Sequence, residues 1–212
     1  MKISTPDRDC DRCPRLAAFL SELRVKEPHW FNAPVPPFGP EDAELLIVGL
    51  APGMKGANRT GRPFTGDFAG DLLYDTLAKF GYSVGTYAQS PNDGMSLINC
   101  RITNAVKCLP PQNKPIGAEI RTCRDFLIPE IMAMKNLKII LALGRIAHDS
   151  LLATFQEKRK DFPFSHAGSH RLSNGLMLID SYHCSRYNTN TGRLTVEMFD
   201  QVFEKTTSFL AK

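Results

Sequence analysis

A glycine-rich stretch between an apolar run and a helical pattern does most to limit how this chain can fold. Residues 49–70 read GLAPGMKGANRTGRPFTGDFAG and contain six glycines, which allow sharp turns and a close approach to a ligand. The apolar run LLIV precedes this stretch, and helical periodicity follows it at residues 71–80. The pattern predicts a buried strand, a long loop and a helix. Open α/β sheets bind their ligands on loops of this kind.

The stretch does not match the common nucleotide-binding signatures. It lacks the Gly-Lys-Ser/Thr of a Walker loop and the spacing GxGxxG. A long ordered connection without a ligand is the simpler interpretation. The polar sequence NRTGRPFTGD is more than a connection needs, so we favour a binding site here.

Strand-like segments alternate with helical ones along the rest of the chain. Helical spacing covers residues 117–134, where Pro129 predicts a kink or a break, and another helix is expected to close the chain. The alternation predicts an α/β fold of three layers with a mainly parallel sheet. The proline-rich residues 30–40 are expected to pack on the domain as a loop, and residues 156–171 to form an exposed basic loop. Further strands are expected at residues 95–106, 137–143 and 176–180.

The composition is that of one globular domain, and we treat residues 1–212 as a single unit. The chain is 42% hydrophobic and 23% charged, which is ordinary for a soluble protein. No apolar stretch is long enough to span a membrane, and the polar start MKISTPDRDC does not resemble a signal peptide, so we expect a cytoplasmic location. A net charge of +4 permits an anionic partner without requiring one.

Four of the six cysteines have the context of metal ligands. Cys10 and Cys13 form a C-x-x-C pair before Pro14, which suits the first turn of a helix, and Cys108 and Cys123 flank a loop and the next helix. Four thiolates suit zinc or an iron–sulfur cluster, and the spacing does not choose between them. A redox-active or incidental C-x-x-C pair is the alternative. We expect the other two, Cys100 and Cys184, to be small buried apolar residues.

Polar and aromatic residues are expected at the same edge of the sheet. Asp67, Asn104 and His183 each follow or end a predicted strand or its loop, and Phe64 lies close to Asp67 in the chain. An amide can pair with the edge of a nucleobase, and an aromatic ring can stack on its face. A histidine can stabilise a developing anion, and a carboxylate can orient water. Each residue alone has a structural interpretation, as a helix cap, a turn residue or a core histidine, but their convergence favours a site.

Three longer motifs resemble those of one known family. GLAPGMKGANRTGRPFTGD, ITNAVKCLPPQNKP with its following cysteine, and HCSRYNTNTGR are similar to motifs of the uracil-DNA glycosylase superfamily, most closely its type b, or family 5, iron–sulfur branch. The resemblance extends from Cys10 to about Arg193. It implies an α/β/α sandwich around a central four-stranded parallel sheet, and removal of deaminated bases from DNA. It also implies a [4Fe–4S] cluster rather than zinc, with the ligands Cys10, Cys13, Cys108 and Cys123.

The resemblance also implies roles for the residues at the sheet edge. Phe64 resembles the aromatic residue that stacks on the base, and Asn104 the residue that contacts the edge of the base. His183 resembles the motif histidine that stabilises the departing base. Backbone N–H groups of the loop around Gly53 are expected to assist it.

The sequence departs from the wider superfamily after the first motif glycine. Other branches have a carboxylate or an amide there, whereas this chain has Leu50-Ala51-Pro52. Members of the type b branch share this absence. We assign Asp67, the nearest carboxylate, the role of activating water.

The activity implied by the resemblance is monofunctional base excision from double-stranded DNA, with single-stranded DNA as a further substrate to test. Uracil is the expected base, and hypoxanthine and xanthine are implied as further substrates. We give no lysine of these motifs the role of an amine nucleophile, so we predict no strand cleavage. Arg186 and Tyr187 are candidates to fill the gap left by a flipped nucleotide, with an ordinary exposed loop as the alternative. The protein is expected to be a monomer with no membrane partner.

Two other functional classes remain open from the sequence. One is a damage-binding module that keeps the fold and lacks catalysis, which the presence of Asp67, Asn104 and His183 disfavours. The other is a relative that captures abasic sites covalently, which the HCSRYNTNTG loop disfavours because it resembles the type b form.

Overall fold

A computed structural model describes residues 5–211, in which a central sheet is covered on both faces by helices. The first four residues of the polar N-terminal segment lie outside the described residues. In chain order the strands are β1 Leu45–Gly49, β2 Ser83–Val84, β3 Ser96–Leu97, β4 Cys100–Asn104, β5 Ile139–Leu143, β6 Ser169–Arg171 and β7 Met177–Ser181. The α-helices are α1 Pro14–Lys26, α2 Ala57–Thr60, α3 Phe68–Lys79, α4 Gly117–Ala133, α5 Arg145–Thr154, α6 Arg186–Asn190 and α7 Val196–Leu210.

The main sheet has the strand order β4-β1-β5-β7-β6. Its first four strands are parallel, as predicted, and the register places Gly49 of β1 beside Asn104 of β4. Every residue of these four strands is buried, which is typical of a parallel sheet covered on both faces. The predicted three-layer α/β/α architecture is confirmed.

A fifth strand extends the sheet beyond the four-stranded prediction. β6 pairs antiparallel with β7 through Ser169, His170 and Arg171. These residues end the segment 156–171, which the sequence analysis assigned entirely to an exposed loop, and that assignment is wrong for its last three residues. Three polar or charged side chains give no apolar alternation, so the backbone pairing with β7 decides this strand.

Alternate residues of each central strand pack on opposite faces of the sheet. On one face Leu45, Ile47 and Leu141 contact α3 and α7, whose buried residues include Leu73, Leu77, Phe199 and Phe203. On the other face Leu46, Val48 and Ile140 contact α4 and α5, which contribute Leu127, Ile131 and Leu151. Within residues 5–211, no helix combines the length and the apolar character needed to cross a membrane.

Local differences from the sequence predictions concern the ends and regularity of helices. α4 continues through Pro129 without a break. α3 begins at Phe68, three residues before the predicted periodic segment, because the Asp67 side chain caps it by accepting a hydrogen bond from the Gly70 N–H. The proline-rich loop packs on the domain as predicted, with Ala33 and Val35 buried.

Candidate active site and cysteine centre

A cavity of about 560 Å³ opens where β1, β4 and β7 end. The carboxyl ends of parallel strands meet at this edge, so the loops that follow them line the same space. The cavity brings together six of the predicted site residues: Gly53, Phe64, Asp67, Asn104, His183 and Arg186. The remaining lining residues are Leu50, Ala51, Pro52, Lys55, Ala57, Gly66, Phe68, Ala69, Asn113 and Ser185.

Phe64 forms one wall of the cavity in a backbone conformation that few aromatic residues adopt. Its φ is +53°, in the left-handed region, and its ring centroid lies 5.9 Å from that of His183 with the planes tilted by 30°. A Cβ on Gly49 would lie 2.7 Å from Phe64 Cζ, and one on Gly70 would lie 1.7 Å from the Phe64 carbonyl oxygen. Glycine is therefore required at both positions for the ring to occupy this place.

Asn104 ends β4 with its amide turned to the same space. The residue is 4% exposed, and its Oδ1 has no hydrogen-bond partner among residues 5–211. A Cβ on Gly49, its neighbour in register, would lie 2.4 Å from that oxygen. Buried amides are normally hydrogen-bonded, so the unpaired group is suited to a ligand in the cavity.

Asp67 caps helix α3 and also lines the cavity. Its Oδ1 caps α3 by accepting from the Gly70 N–H. Its Oδ2 packs against Gly53 and Gly56, where an added Cβ would lie 2.8 Å and 2.1 Å from that oxygen. Burial raises the pKa of Asp67 above its usual value, and the backbone N–H groups of α3 oppose that rise. The helix-cap interpretation is confirmed, and Asp67 also lines the cavity, where its functional role stays a prediction.

His183 follows β7 and faces Phe64. Desolvation lowers its pKa to about 4, so the imidazole is neutral at pH 7. Among residues 5–211 its ring nitrogens make no hydrogen bond, whereas its main-chain carbonyl accepts one of 2.8 Å from Asn188 Nδ2. The backbone is held in place while a neutral ring with one N–H donor is left available to a ligand.

The rim of the cavity carries two cations. Lys55 is exposed, and the Arg186 guanidinium lies 5.2 Å from the centroid of the Phe68 ring. Tyr187, the other predicted DNA contact, is 72% exposed on α6 and does not line the cavity. The sequence analysis did not single out Lys55, Asn113 or Ser185. Lys55 lies inside the first motif, Asn113 inside the second and Ser185 inside the third, so the motifs were the signal that could have found them.

The four predicted metal ligands converge at a second place. Cys10, Cys13, Cys108 and Cys123 line one cavity of about 10 Å³ together with Arg12, Leu16, Thr122, Phe126 and Pro6. Cys13 caps α1 and Cys123 lies in α4, and Leu16, Leu20 and Leu23 of α1 pack against the two later cysteines. The Lys107 N–H donates a hydrogen bond of 3.2 Å to Cys123 Sγ.

Among residues 5–211, the four sulfurs are spread more widely than the ligands of one tetrahedral zinc ion. Tetrahedral zinc with bonds of about 2.3 Å places its sulfur ligands about 3.8 Å apart. Among the described residues, no three of these cysteine sulfurs lie within 4.8 Å of one another. Burial and the neighbouring thiols raise the pKa of Cys13 to about 11, a cost that a bound cationic centre removes. Cys100 and Cys184 are fully buried elsewhere, as predicted.

Comparisons with known proteins agree with this architecture. A family model described as the uracil DNA glycosylase superfamily matches residues 36–207. The chain is 44% identical over 199 residues to the type-5 uracil-DNA glycosylase of Thermus thermophilus, covering 91% of this chain and 90% of the relative. It is 40% identical over 203 residues to the type-5 uracil-DNA glycosylase of Mycobacterium leprae, with 92% and 88% covered. The type-5 uracil-DNA glycosylase of Pyrobaculum aerophilum is 36% identical over 201 residues, with 93% and 87% covered.

Proposed function

Because the chain belongs to the uracil DNA glycosylase superfamily, we propose that it is a DNA glycosylase that hydrolyses the bond between uracil and deoxyribose in DNA, the first step of base excision repair. The observation that carries this proposal is the convergence of Phe64, Asn104, His183 and Asp67 on one cavity. These side chains supply a stacking ring, a base-edge contact, a neutral donor and a carboxylate.

A flipped nucleotide fits the arrangement of the cavity. The base would stack on Phe64 and pair its edge with the unpartnered amide of Asn104. Lys55 and Arg186 at the rim would contact the phosphates on either side of that nucleotide. Tyr187, exposed on α6, would contact the duplex beside the gap.

Bond cleavage leaves electrons on the base and a cationic sugar. The pair of electrons in the C1′–N1 bond moves to the uracil ring, and negative charge develops on its carbonyl oxygens. The neutral His183 ring donates its N–H to that charge, and backbone N–H groups of the loop at Gly53 act with it. A neutral donor suits this step because it needs no proton from solution at pH 7.

Water then attacks C1′ of the oxocarbenium-like sugar. Leu50, Ala51 and Pro52 line the cavity and have no group able to accept a proton from that water. Asp67 lines the same cavity, and its carboxylate is the group we assign to orient the water and accept its proton. The products are the free base and an intact strand with an abasic site.

The cysteine centre is assigned a [4Fe–4S] cluster held by Cys10, Cys13, Cys108 and Cys123. When bound, the cluster supplies a covalent tie between two distant parts of the chain and takes no part in base removal. α1 and α4 already meet through the ion pair between Arg15 and Glu119, whose atoms are 2.8 Å apart. The cluster would add covalent bonds that hold α1 and α4 together.

The substrate range is proposed to extend beyond uracil. A cavity of about 560 Å³ is within the range of sites for drug-sized ligands, so its size does not restrict it to a pyrimidine. Hypoxanthine and xanthine are the further bases we propose. We also propose that the substrate is double-stranded DNA and that the protein is monomeric and cytoplasmic.

Single-turnover base release tests the proposed function. Duplex oligonucleotides with one uracil, hypoxanthine or xanthine would be incubated with the native chain, Asp67→Asn and His183→Ala. The exposed residues Asp75 and His29 provide the matched controls Asp75→Asn and His29→Ala. We expect release to fall at least 100-fold in both site variants and to be unchanged in the controls.

The products distinguish the rival functions. Strand breaks that need alkali, with no adduct on a denaturing gel, support a monofunctional glycosylase. Binding without release would indicate a catalytically silent damage-binding module, and an adduct that survives denaturation would indicate covalent capture of abasic sites. Either result would overturn the proposal.

A further inference from the structure

A second group of potential ligands lies away from the cavity, where α5 packs on the edge of the sheet. His148 of α5, His170 of β6 and Asp180 of β7 each offer one atom, and these atoms lie within 4.8 Å of one another. His148 and Asp180 are 1% and 0% exposed, and the His170 side chain is 15% exposed. None of the three lines the cavity assigned to base excision.

Both ring nitrogens of His148 face oxygen atoms that are hydrogen-bond acceptors. Its Nδ1 lies 2.7 Å from Asp180 Oδ1, and its Nε2 lies 2.9 Å from the Phe162 carbonyl oxygen. A neutral imidazole has one N–H and one lone pair, so either tautomer points a lone pair at an oxygen. Either a second proton on the ring or a metal ion beside it removes that repulsion.

The other atoms of the group are also unsatisfied. Asp180 Oδ2 and His170 Nε2 are 3.5 Å apart, both are buried, and neither has a hydrogen-bond partner among residues 5–211. Buried polar atoms without a partner are rare in native proteins. A proton on His148 leaves this second pair unsatisfied, whereas a cation between the three side chains contacts both unpaired atoms.

We propose that His148, His170 and Asp180 form a binding site for one divalent transition-metal ion, with Zn²⁺ as the best match. Two imidazole nitrogens and a carboxylate are a common donor set for zinc, whose bonds of about 2.0–2.1 Å place ligand atoms about 3.3 Å apart. His148 Nδ1 would bind the ion while its Nε2–H donates to the Phe162 carbonyl, the second contact that metal-bound histidines usually make. The rings of Phe162 and Phe164 shield the group, at 5.7 Å from the His170 ring and 5.5 Å from the His148 ring.

The ion would join three elements at one end of the sheet. β6 is an edge strand of three residues that pairs with β7, and α5 follows β5 through Gly144. A shared ion would fix both against Asp180, three residues before His183. This site is structural, and its existence does not depend on the proposed base excision.

Cobalt and zinc binding to the purified protein with its cysteine centre loaded tests the proposal. The protein would be stripped of loosely bound metal by a mild chelator and titrated with Co²⁺, with binding followed by visible absorption. Cobalt on nitrogen and oxygen ligands gives weak visible bands without the intense thiolate-to-cobalt bands of a cysteine site. The thermal midpoint would be measured in parallel against Zn²⁺ concentration.

We expect one equivalent of Co²⁺ without thiolate bands and a thermal midpoint that rises with Zn²⁺. His170→Gln, at the edge of the sheet, should weaken binding at least 10-fold while folding normally, and Asp180→Asn should weaken it further. The exposed His29→Gln should bind as the native chain does. Absence of binding in the native chain, thiolate bands, or equal binding by His170→Gln would overturn the site.

Discussion

Arg62 and Asp93 form a buried ion pair with two parallel hydrogen bonds of 2.8 and 2.7 Å. The rings of Phe38, Tyr74 and Tyr87 surround the guanidinium, with centroids 5.1, 5.4 and 5.8 Å from its central carbon. Arg62 lies two residues before Phe64, and its Nε also donates to Thr65 Oγ1 at 2.7 Å. The ion pair therefore fixes the chain before and after Phe64, whose ring forms the stacking wall of the cavity.

Asp93→Asn should destabilise the protein and disturb the position of Phe64. Removing one charge leaves the Arg62 guanidinium buried without its partner, which costs about 3–5 kcal/mol in comparable pairs. Chemical denaturation measures this loss in the free energy of unfolding. Under conditions where Asp93→Asn remains folded, single-turnover release of uracil should fall about 10-fold. As a control, Glu22→Gln breaks the exposed pair with Lys26 and should change stability by less than about 0.5 kcal/mol. Equal effects of the two substitutions would contradict the role of the buried pair.

Base release should not decline through the ordinary titration range of histidine. The pKa of His183 is lowered from 6.5 to about 4, so its neutral form persists well below pH 6. Pre-steady-state release measured from pH 8 to pH 4.5 tests this. A decline in rate centred near pH 6.5 that His183→Ala abolishes would contradict it.

The same shift predicts how stability depends on pH. Between pH 6.5 and about 4 the unfolded chain binds a proton at His183 that the folded chain does not. The contribution of neutral His183 to the free energy of unfolding is therefore complete above pH 6.5. It is lost as pH falls toward 4, by at most about 1.4 kcal/mol per pH unit. Denaturant unfolding at pH 7.5 and pH 5 should show a smaller difference for His183→Ala than for the native chain. An identical difference in the two proteins would contradict the buried neutral histidine.

Gly49→Ala should impair catalysis more than folding. The added methyl group would lie 2.4 Å from Asn104 Oδ1 and 2.7 Å from Phe64 Cζ, so both side chains must move. We expect uracil release to fall at least 100-fold, with the folded protein still obtained. Gly117→Ala is the control, since its nearest new contact is 3.4 Å from the flexible Arg121 side chain. Full activity of Gly49→Ala would show that the cavity tolerates a wider spacing of these two groups.

Cys108→Ser should remove the metal centre, whereas Cys100→Ala should leave it intact. Cys108 lines the small cavity shared by the four cysteines, and Cys100 is buried in the core around β4. Iron and acid-labile sulfide per chain, together with visible absorption, give the result, and the thermal midpoint should drop in Cys108→Ser. Equal iron content in the two variants would exclude Cys108 as a ligand.

Lys55→Met should weaken DNA binding without changing the products. Loss of one phosphate contact lowers affinity for all sequences and reduces the slope of log affinity against log salt by about 1. Lys26→Met, on the exposed face of α1, should have no effect on that slope. Borohydride treatment during turnover should trap no covalent complex with either protein. A complex that Lys55→Met abolishes would identify Lys55 as an amine nucleophile and overturn the monofunctional mechanism.

Most of the fold could be predicted from local patterns in the sequence. The runs LLIV and IILAL predict buried strands because four or five consecutive apolar residues suit a sheet covered on both faces. The strand β6 could not be predicted, because Ser169–Arg171 is polar and acquires its conformation only by pairing with β7. The sequence offered Asp67 as a helix cap, but whether its side chain points to the Gly70 N–H and starts α3 at Phe68 depends on the folded backbone.

The chain by itself determined which chemical groups are present and which strand ends carry them, because residue types and periodicity are local properties. The motifs placed Phe64, Asp67, Asn104 and His183 at one edge of the sheet. Only the tertiary structure decided that Asn104 keeps an unpaired oxygen, that Lys55 and Asn113 share the cavity, and that Arg62 meets Asp93 across 31 positions of the chain. Burial, desolvation and the meeting of distant side chains arise from the packing of the whole molecule, and no local pattern encodes them.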